Sequence, residues 1–194
     1  MEKSEDGAQS ANRKLPVNPN GGKTFDEGEL REIYLAGGCF WGTEAFIARV
    51  PGVATTTVGY ANGKTESPTY EQVCHEDTGH AETVHVLYDP RKLPLKKLLD
   101  AFFTIIDPLS KNKQGPDVGT QYRTGVYTTA PDDLSASERV FAEQAAKWDR
   151  PLAVELKPLE NFYPAEEYHQ DYLEKNPNGY CHVNLGKLDE LDSE

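Results

Sequence analysis

An α/β sheet domain is predicted by three features of this 194-residue chain: apolar or β-branched runs alternate with stretches of helical periodicity, the joins between them are short and polar, and no internal repeat interrupts the order. Alternation of this kind favours parallel crossovers and leaves the strand order open. The length suits one domain with a sizeable core plus tails. A formal charge of −12 and a pI near 4.9 exclude a surface built for nucleic acid or anionic membrane, and solubility explains the charge. No apolar run has membrane-spanning length and residues 1–30 lack the hydrophobic stretch of a signal peptide, so the expectation is a cytoplasmic protein. Three cysteines, Cys39, Cys74 and Cys181, are too sparse for a secreted disulfide scaffold, and a disulfide here belongs to a reaction.

Residues 1–28 are rich in Asn, Gly, Ser, Lys and Glu without apolar periodicity, and are expected to be a disordered tail. A strand over Ile33 to Ala36 leads to a helix over Thr43 to Val50 that stops at Pro51-Gly52, and the β-branched run Val53 to Tyr60 reads as the next strand. Asn62-Gly63 marks a turn. Ser67-Pro68 reads as an N-cap and first helical residue, which places Tyr70 and Cys74, four apart, on one face of a short helix. Glu82 to Tyr88 is extended and closes at Asp89-Pro90. Leu95, Leu98, Leu99, Phe102 and Ile106 put an apolar stripe on a helix over 94–106. After a loop rich in Pro and Gly come a strand from Gln121 to Thr128, an amphipathic helix from near Asp132 to Trp148, a strand around Ala153 to Lys157 and a short helix near Ala165 to Glu174.

Gly38-Cys39-Phe40-Trp41-Gly42 puts a thiol where a strand gives way to a helix. A free cysteine with a pKa of about 8.5 is only a few per cent thiolate near neutrality, and a helix N-terminus favours the ionised form. Glycines let a substrate approach the backbone, and Phe40 and Trp41 supply an apolar wall. The competing role is a buried packing cysteine. In Gly79-His80-Ala81-Glu82 a carboxylate opens an apolar strand; facing the interior it would be desolvated and held protonated, facing outward it would be an ordinary edge glutamate.

These motifs, with Tyr70-Glu71-Gln72-Val73-Cys74, Asp117-Val118-Gly119-Thr120-Gln121-Tyr122-Arg123 and Ala165-Glu166-Glu167-Tyr168-His169-Gln170, resemble methionine sulfoxide reductase A, in order over about residues 32–185. The resemblance implies an α+β fold: a two-layer, ferredoxin-like sandwich with a mixed central sheet flanked by helices. It divides the chain into a tail (1–28), a catalytic domain (29–175) and a mobile C-terminal segment (176–194). It also implies an oxidoreductase that repairs the S epimer of methionine sulfoxide, free or in proteins. Cys39 would attack sulfur and Glu82 would protonate oxygen, while Tyr70 and Tyr122 donate hydrogen bonds to that oxygen and Asp117 fixes the polar side. Phe40 and Trp41 would hold the substrate methyl. Cys39 would become a sulfenic acid, condense with Cys181 as resolving thiol, and be regenerated by thioredoxin or another dithiol. Cys74 is assigned to packing. No metal, organic cofactor, nucleic acid or membrane is implied, and the expected state is a monomer.

The chain departs from the family's pattern in three places. Gly186 to Glu194 holds no second recycling cysteine, so direct reduction of a Cys39–Cys181 disulfide is expected rather than a relay. Pro116 stands before Asp117 where Asn is common, and Ile106 stands before Asp107-Pro108 where His is common. Two other functions compete. A cysteine hydrolase would pair Cys39 with His169 or His182. A metal module would draw on Cys74, His75, His80, His85, Cys181 and His182, but there is no Cys-x-x-Cys pair, and His80 and His85 fall on opposite faces of a strand.

Overall fold

The computed structural model describes residues 12–193. Its strands are β1 (Arg31–Gly37), β2 (Val53–Ala61), β3 (Ala81–Tyr88), β4 (Lys113–Gln114), β5 (Asp117–Val118), β6 (Thr124–Thr128), β7 (Glu155–Pro158) and β8 (Phe162–Pro164). Its helices are α1 (Phe40–Ile47), α2 (Tyr70–His75), α3 (Leu95–Thr104), α4 (Pro131–Ala145) and α5 (Tyr172–Lys175).

Six strands form one sheet in the order β7-β6-β1-β3-β2-β8, and β4 and β5 form a separate hairpin. Every neighbour pair in the large sheet is antiparallel except β6 with β7. Of the crossovers expected from alternation, β6-α4-β7 joins parallel neighbours, whereas the other two each straddle an intervening strand. β1 and β2 both run antiparallel to β3, so α1 joins two co-directional strands with β3 between them; β3 and β6 likewise flank β1. Two interlocked split units of this kind make the sheet mixed and the fold α+β, with β1 and β3 at its centre.

Period-2 alternation sorts β1 between two apolar layers. Ile33 and Leu35 enter the main core with Phe46, Val84, Val86, Leu98, Leu99 and Phe102, beneath α1 and α3. Tyr34 and Ala36 face the opposite side, where Ala61, Ala81 and Tyr127 are covered by Leu159 and Phe162. With both faces covered, β1 reads as a continuous apolar run rather than a half-polar strand.

Several element boundaries differ from expectation. Thr69, not Ser67, caps α2: its hydroxyl accepts from the Gln72 amide while the Gln72 side chain accepts from the Thr69 amide, and Ser67 sits at φ 41. The segment before β6 is a 3₁₀ turn over Thr120–Tyr122, not strand, and the expected helix over Ala165 to Glu174 is a 3₁₀ turn (Glu167–His169) followed by α5. Within the expected disordered tail, residues 1–11 lie outside the described residues, whereas residues 12–28 run along the domain. Asn20 holds them there, donating to the carbonyls of Ala48 and Val50 at 2.9 Å each and accepting from the Gly52 amide at 3.0 Å. Arg49 adds a bond to the Pro16 carbonyl. One buried amide facing three backbone groups at the end of α1 outweighs the weak local preference of this stretch. Among the described residues no helix is long and apolar enough to cross a membrane.

Candidate active site

Cys39 is the N-cap of α1, where β1 ends. Gly38 makes the turn at φ +85, and a Cβ there would press on the Gln114 side chain at 2.8 Å, so the position excludes other residues. The thiol is 6% exposed. Burial pushes its pKa far up and the Glu82 charge adds to this, while the amides of Trp41 and Gly42 pull the other way. The helix N-terminus is therefore present as expected but does not prevail: in the substrate-free protein Cys39 rests as a thiol.

Glu82 is the second residue of β3, opposite Tyr60 of β2, and shares its face with Val84 and Val86. It is 1% exposed, and one carboxyl oxygen, Oε2, has no hydrogen-bond partner. Burial holds its pKa well above the usual carboxylate range, with Asp117 adding to the shift and the Phe40 amide opposing it. Of the two placements left open by the sequence, the chain takes the interior one.

The other expected residues converge on the same pair. Tyr122, from the 3₁₀ turn, has its hydroxyl pKa raised by burial, then by the charges of Glu82, Cys74, Asp117 and Cys39. Tyr70, first in α2, is raised by burial and by its contact with Cys74, with Glu82 and Tyr122 contributing. Cys74 is thus half-buried against Tyr70 rather than in the core, where its neighbour Val73 sits. Asp117, on β5, accepts from the Tyr180 hydroxyl at 2.8 Å. Phe40 is almost fully enclosed and packs on Tyr60 and His169, whereas Trp41 is partly exposed, stacked on Tyr172 at 3.7 Å between centroids.

Four residues that the sequence left without a role in this site build its walls. Glu166 accepts from the Tyr60 hydroxyl (2.9 Å) and the Tyr70 amide (3.0 Å), tying β2 to α2. His169, enclosed among Phe40, Trp41, Tyr70 and Tyr168, accepts at Nδ1 from Trp41 Nε1 at 3.0 Å. Tyr172 and Tyr180 complete the set. Their only sequence signal was proximity to Glu166-Glu167-Tyr168-His169 and to Cys181. His80 is structural, accepting from the Gly63 amide and bonding the Thr65 carbonyl.

Cys181 lies beside α1: its Sγ is 3.0 Å from where a Cβ on Gly42 would sit, and its thiol donates to the Val183 carbonyl at 3.3 Å. The 142 residues that separate it from Cys39 are spanned by the fold, with Val183 and Leu185 buried as anchors of the segment. Arg13 pins the preceding turn through Asn178 and the Gly179 carbonyl. Among the described residues no cluster of three or more His, Cys, Asp or Glu could hold a metal ion, and the histidines proposed for a metal module are dispersed, His80 against Thr65 and His85 against Glu32. Neither His169 nor His182 is bonded to Cys39: the first faces Trp41, the second the Gly37 carbonyl. What the structure brings together is a buried thiol, a buried acid whose pKa is held up and tyrosines among other aromatic side chains, a set suited to an electrophile whose oxygen must be protonated as sulfur attacks it.

Comparison with known proteins gives the same picture. A family model described as peptide methionine sulfoxide reductase matches residues 31–193. The chain is 56% identical over 153 residues to a peptide methionine sulfoxide reductase MsrA of Lachnoclostridium phytofermentans, covering 79% of this chain and 92% of that protein. Among solved structures it is similar to reduced Mxr1 of Saccharomyces cerevisiae, with a TM-score of 0.77, 42% identity and coverage of 83% and 94% of the two chains. It also matches Mxr1 of the same yeast in complex with Trx2, with a TM-score of 0.55, 30% identity and coverage of 78% and 91%.

Proposed function

Because the chain belongs to the peptide methionine sulfoxide reductase family, we propose that Cys39 and Glu82 act as one proton-coupled unit on the sulfoxide. The activity is thiol-dependent reduction of methionine sulfoxide. A sulfoxide sulfur is a poor electrophile while its oxygen carries negative charge, so attack and protonation must go together. An unperturbed glutamate would be protonated about 0.2% of the time at pH 7. The observation that carries the reading is the enclosure of Glu82 at 1% exposure, which keeps its proton in place at neutral pH.

Cys39 sulfur attacks the substrate sulfur as Glu82 delivers its proton to the oxygen, and the thiol proton restores Glu82; the hydroxyl then passes from the substrate sulfur to the Cys39 sulfur as the new S–S bond breaks, so that methionine leaves reduced and Cys39 is left as a sulfenic acid. Keeping Glu82 neutral also removes the charge that most opposes Cys39 ionisation after burial itself. Tyr70 and Tyr122 donate to the oxygen; engaging it draws the Tyr70 hydroxyl away from Cys74. Trp41, fixed by His169 and Tyr172, flanks the substrate methyl together with the edge of Phe40 and selects the S epimer. Cys181 then condenses with the sulfenic acid, and a thioredoxin reduces the disulfide; the yeast Mxr1 complex with Trx2 supports that class of reductant.

Mixing the reduced protein with each pure sulfoxide epimer tests this directly. The S epimer alone should release methionine, remove two hydrogens from the protein mass and crosslink Cys39 to Cys181. Cys181→Ser should yield about one equivalent of methionine and then stall unless a small thiol is added, and Cys39→Ser should yield none. Normal release from Cys39→Ser would overturn the mechanism.

A further inference from the structure

His182 follows Cys181 and lies across the turn that carries Cys39. Its Nε2 is 2.9 Å from the Gly37 carbonyl oxygen. A carbonyl can only accept, so Nε2 bears the hydrogen and Nδ1 is left with a free lone pair. That Nδ1 is buried and has no hydrogen-bond partner. It also faces the same spot as the resolving thiol: a Cβ on Gly42 would lie 3.0 Å from Cys181 Sγ and 3.2 Å from His182 Nδ1. On the other side of the ring, a Cβ on Gly38 would lie 3.1 Å from Nε2. Glycine at both positions lets the imidazole sit between the two ends of the Cys39 turn. A bare acceptor buried at this place is costly unless it is used.

We propose that His182 Nδ1 is the proton acceptor for Cys181 in the disulfide-forming step. The inference rests on the Cys39 and Cys181 roles given above and adds a base to them. Nδ1 takes the thiol proton, and the Cys181 sulfur attacks the sulfenic sulfur of Cys39. The S–S bond forms, the S–O bond breaks, and the departing hydroxide takes the proton back from the imidazolium to leave as water. Cys181 is oxidised, the Cys39 sulfur is reduced, and no outside reagent is needed.

A base is required here because burial raises the Cys181 pKa, opposed by Val183 and the Arg13 charge. Burial lowers that of His182, opposed by the Gly37 bond and by Asp117, so the imidazole is neutral and ready at pH 7. Arg13, Asp117, Tyr180 and Cys39 are ionisable groups set about this pair.

Rapid-quench measurement of methionine release and disulfide formation separates the two steps in one mixing experiment with the S epimer. In the native protein, disulfide formation should be nearly flat from pH 7 to 9, because the neutral imidazole is already fully present. His182→Gln keeps a donor for the Gly37 carbonyl but no base. The ratio of the disulfide rate to the methionine-release rate should fall at least tenfold at pH 7, and the disulfide rate should then climb about tenfold per pH unit as the free thiol ionises. A native rate that itself climbs tenfold per unit across pH 7–9 would overturn the proposal even if the variant failed to fold. So would a variant with the native ratio and profile. A native protein releasing no methionine overturns the functional reading beneath it, and that shows in the first step alone.

Discussion

Glu44 tests how far buried charge governs this fold. It lies in the middle of α1, 2% exposed, with Oε1 accepting from the Thr56 hydroxyl at 3.0 Å and Oε2 from the Asp171 amide at 3.0 Å. Burial raises its pKa to about 8, the Asp171 charge adding to this and the Thr56 and Asp171 bonds opposing it. In the unfolded chain the same carboxyl titrates near 4.3. Between those values the folded state holds a proton that the unfolded state has lost, so this group's contribution to stability falls as pH rises through the window. Each pH unit costs at most 1.36 kcal/mol. The whole interval therefore amounts to ~5 kcal/mol, an upper figure because local relaxation softens it. Glu44→Gln removes the titration while keeping the shape: its amide oxygen can accept from Asp171 and its NH₂ can donate to Thr56. Urea unfolding at pH 5 and pH 8 should give nearly equal stabilities for the two proteins at pH 5 and a variant more stable by roughly 2–4 kcal/mol at pH 8. Equal slopes against pH in both proteins would refute the assignment of a buried, neutral Glu44.

Glu82→Gln should slow first-turnover methionine release about 10²- to 10⁴-fold at pH 7, the usual range for loss of a general acid, without loss of folding stability. Stopped-flow release and an unfolding curve measure the two effects separately. Trp41→Phe removes the donor to His169 Nδ1 and leaves that buried acceptor unpaired; a loss of about 1–3 kcal/mol in urea unfolding is expected, with a raised KM for the sulfoxide in steady-state assays. Asn20→Ala strips two carbonyls and one amide near the end of α1 of their partner. Its expected cost of about 2–4 kcal/mol, read by denaturant unfolding, would distinguish an integral segment from a dispensable tail.

The sequence revealed the elements that have length and period. β1, β2, β3, α3 and α4 carry enough apolar alternation or helical stripe to be located within a few residues. β4 and β5 are two-residue strands of one tight hairpin, too short for alternation to show, and β8, three residues long, belongs to a pairing set by a distant partner, Tyr60 with Tyr163, which no local pattern encodes. Parallel pairing was overestimated because alternation shows that strands run the same way, not that they are neighbours. In the site, Cys39 and Glu82 stood out as polar residues in apolar surroundings. Glu166 and His169 did not, because their partners Tyr60, Tyr70 and Trp41 lie about a hundred residues away. Glu44 carries no local signal, since the groups that hold it, Thr56 and the Asp171 amide, come from other parts of the chain. The Asn20 bonds were invisible in a stretch whose composition is that of a linker.

The placement of the two thiols divides the protein by how it opens to solvent. Cys39 hangs from the end of β1 and Glu82 from the start of β3, the central pair of the sheet, whose amides should exchange with deuterium only when the whole domain opens. Cys181 belongs to a stretch without strand pairing, tethered by side chains and two buried anchors, whose amides should exchange through small local openings. The first reaction step thus stands on the part of the molecule that cannot yield without unfolding. The second stands on a part able to move by itself, as a sulfur must that meets first its partner and then an outside dithiol.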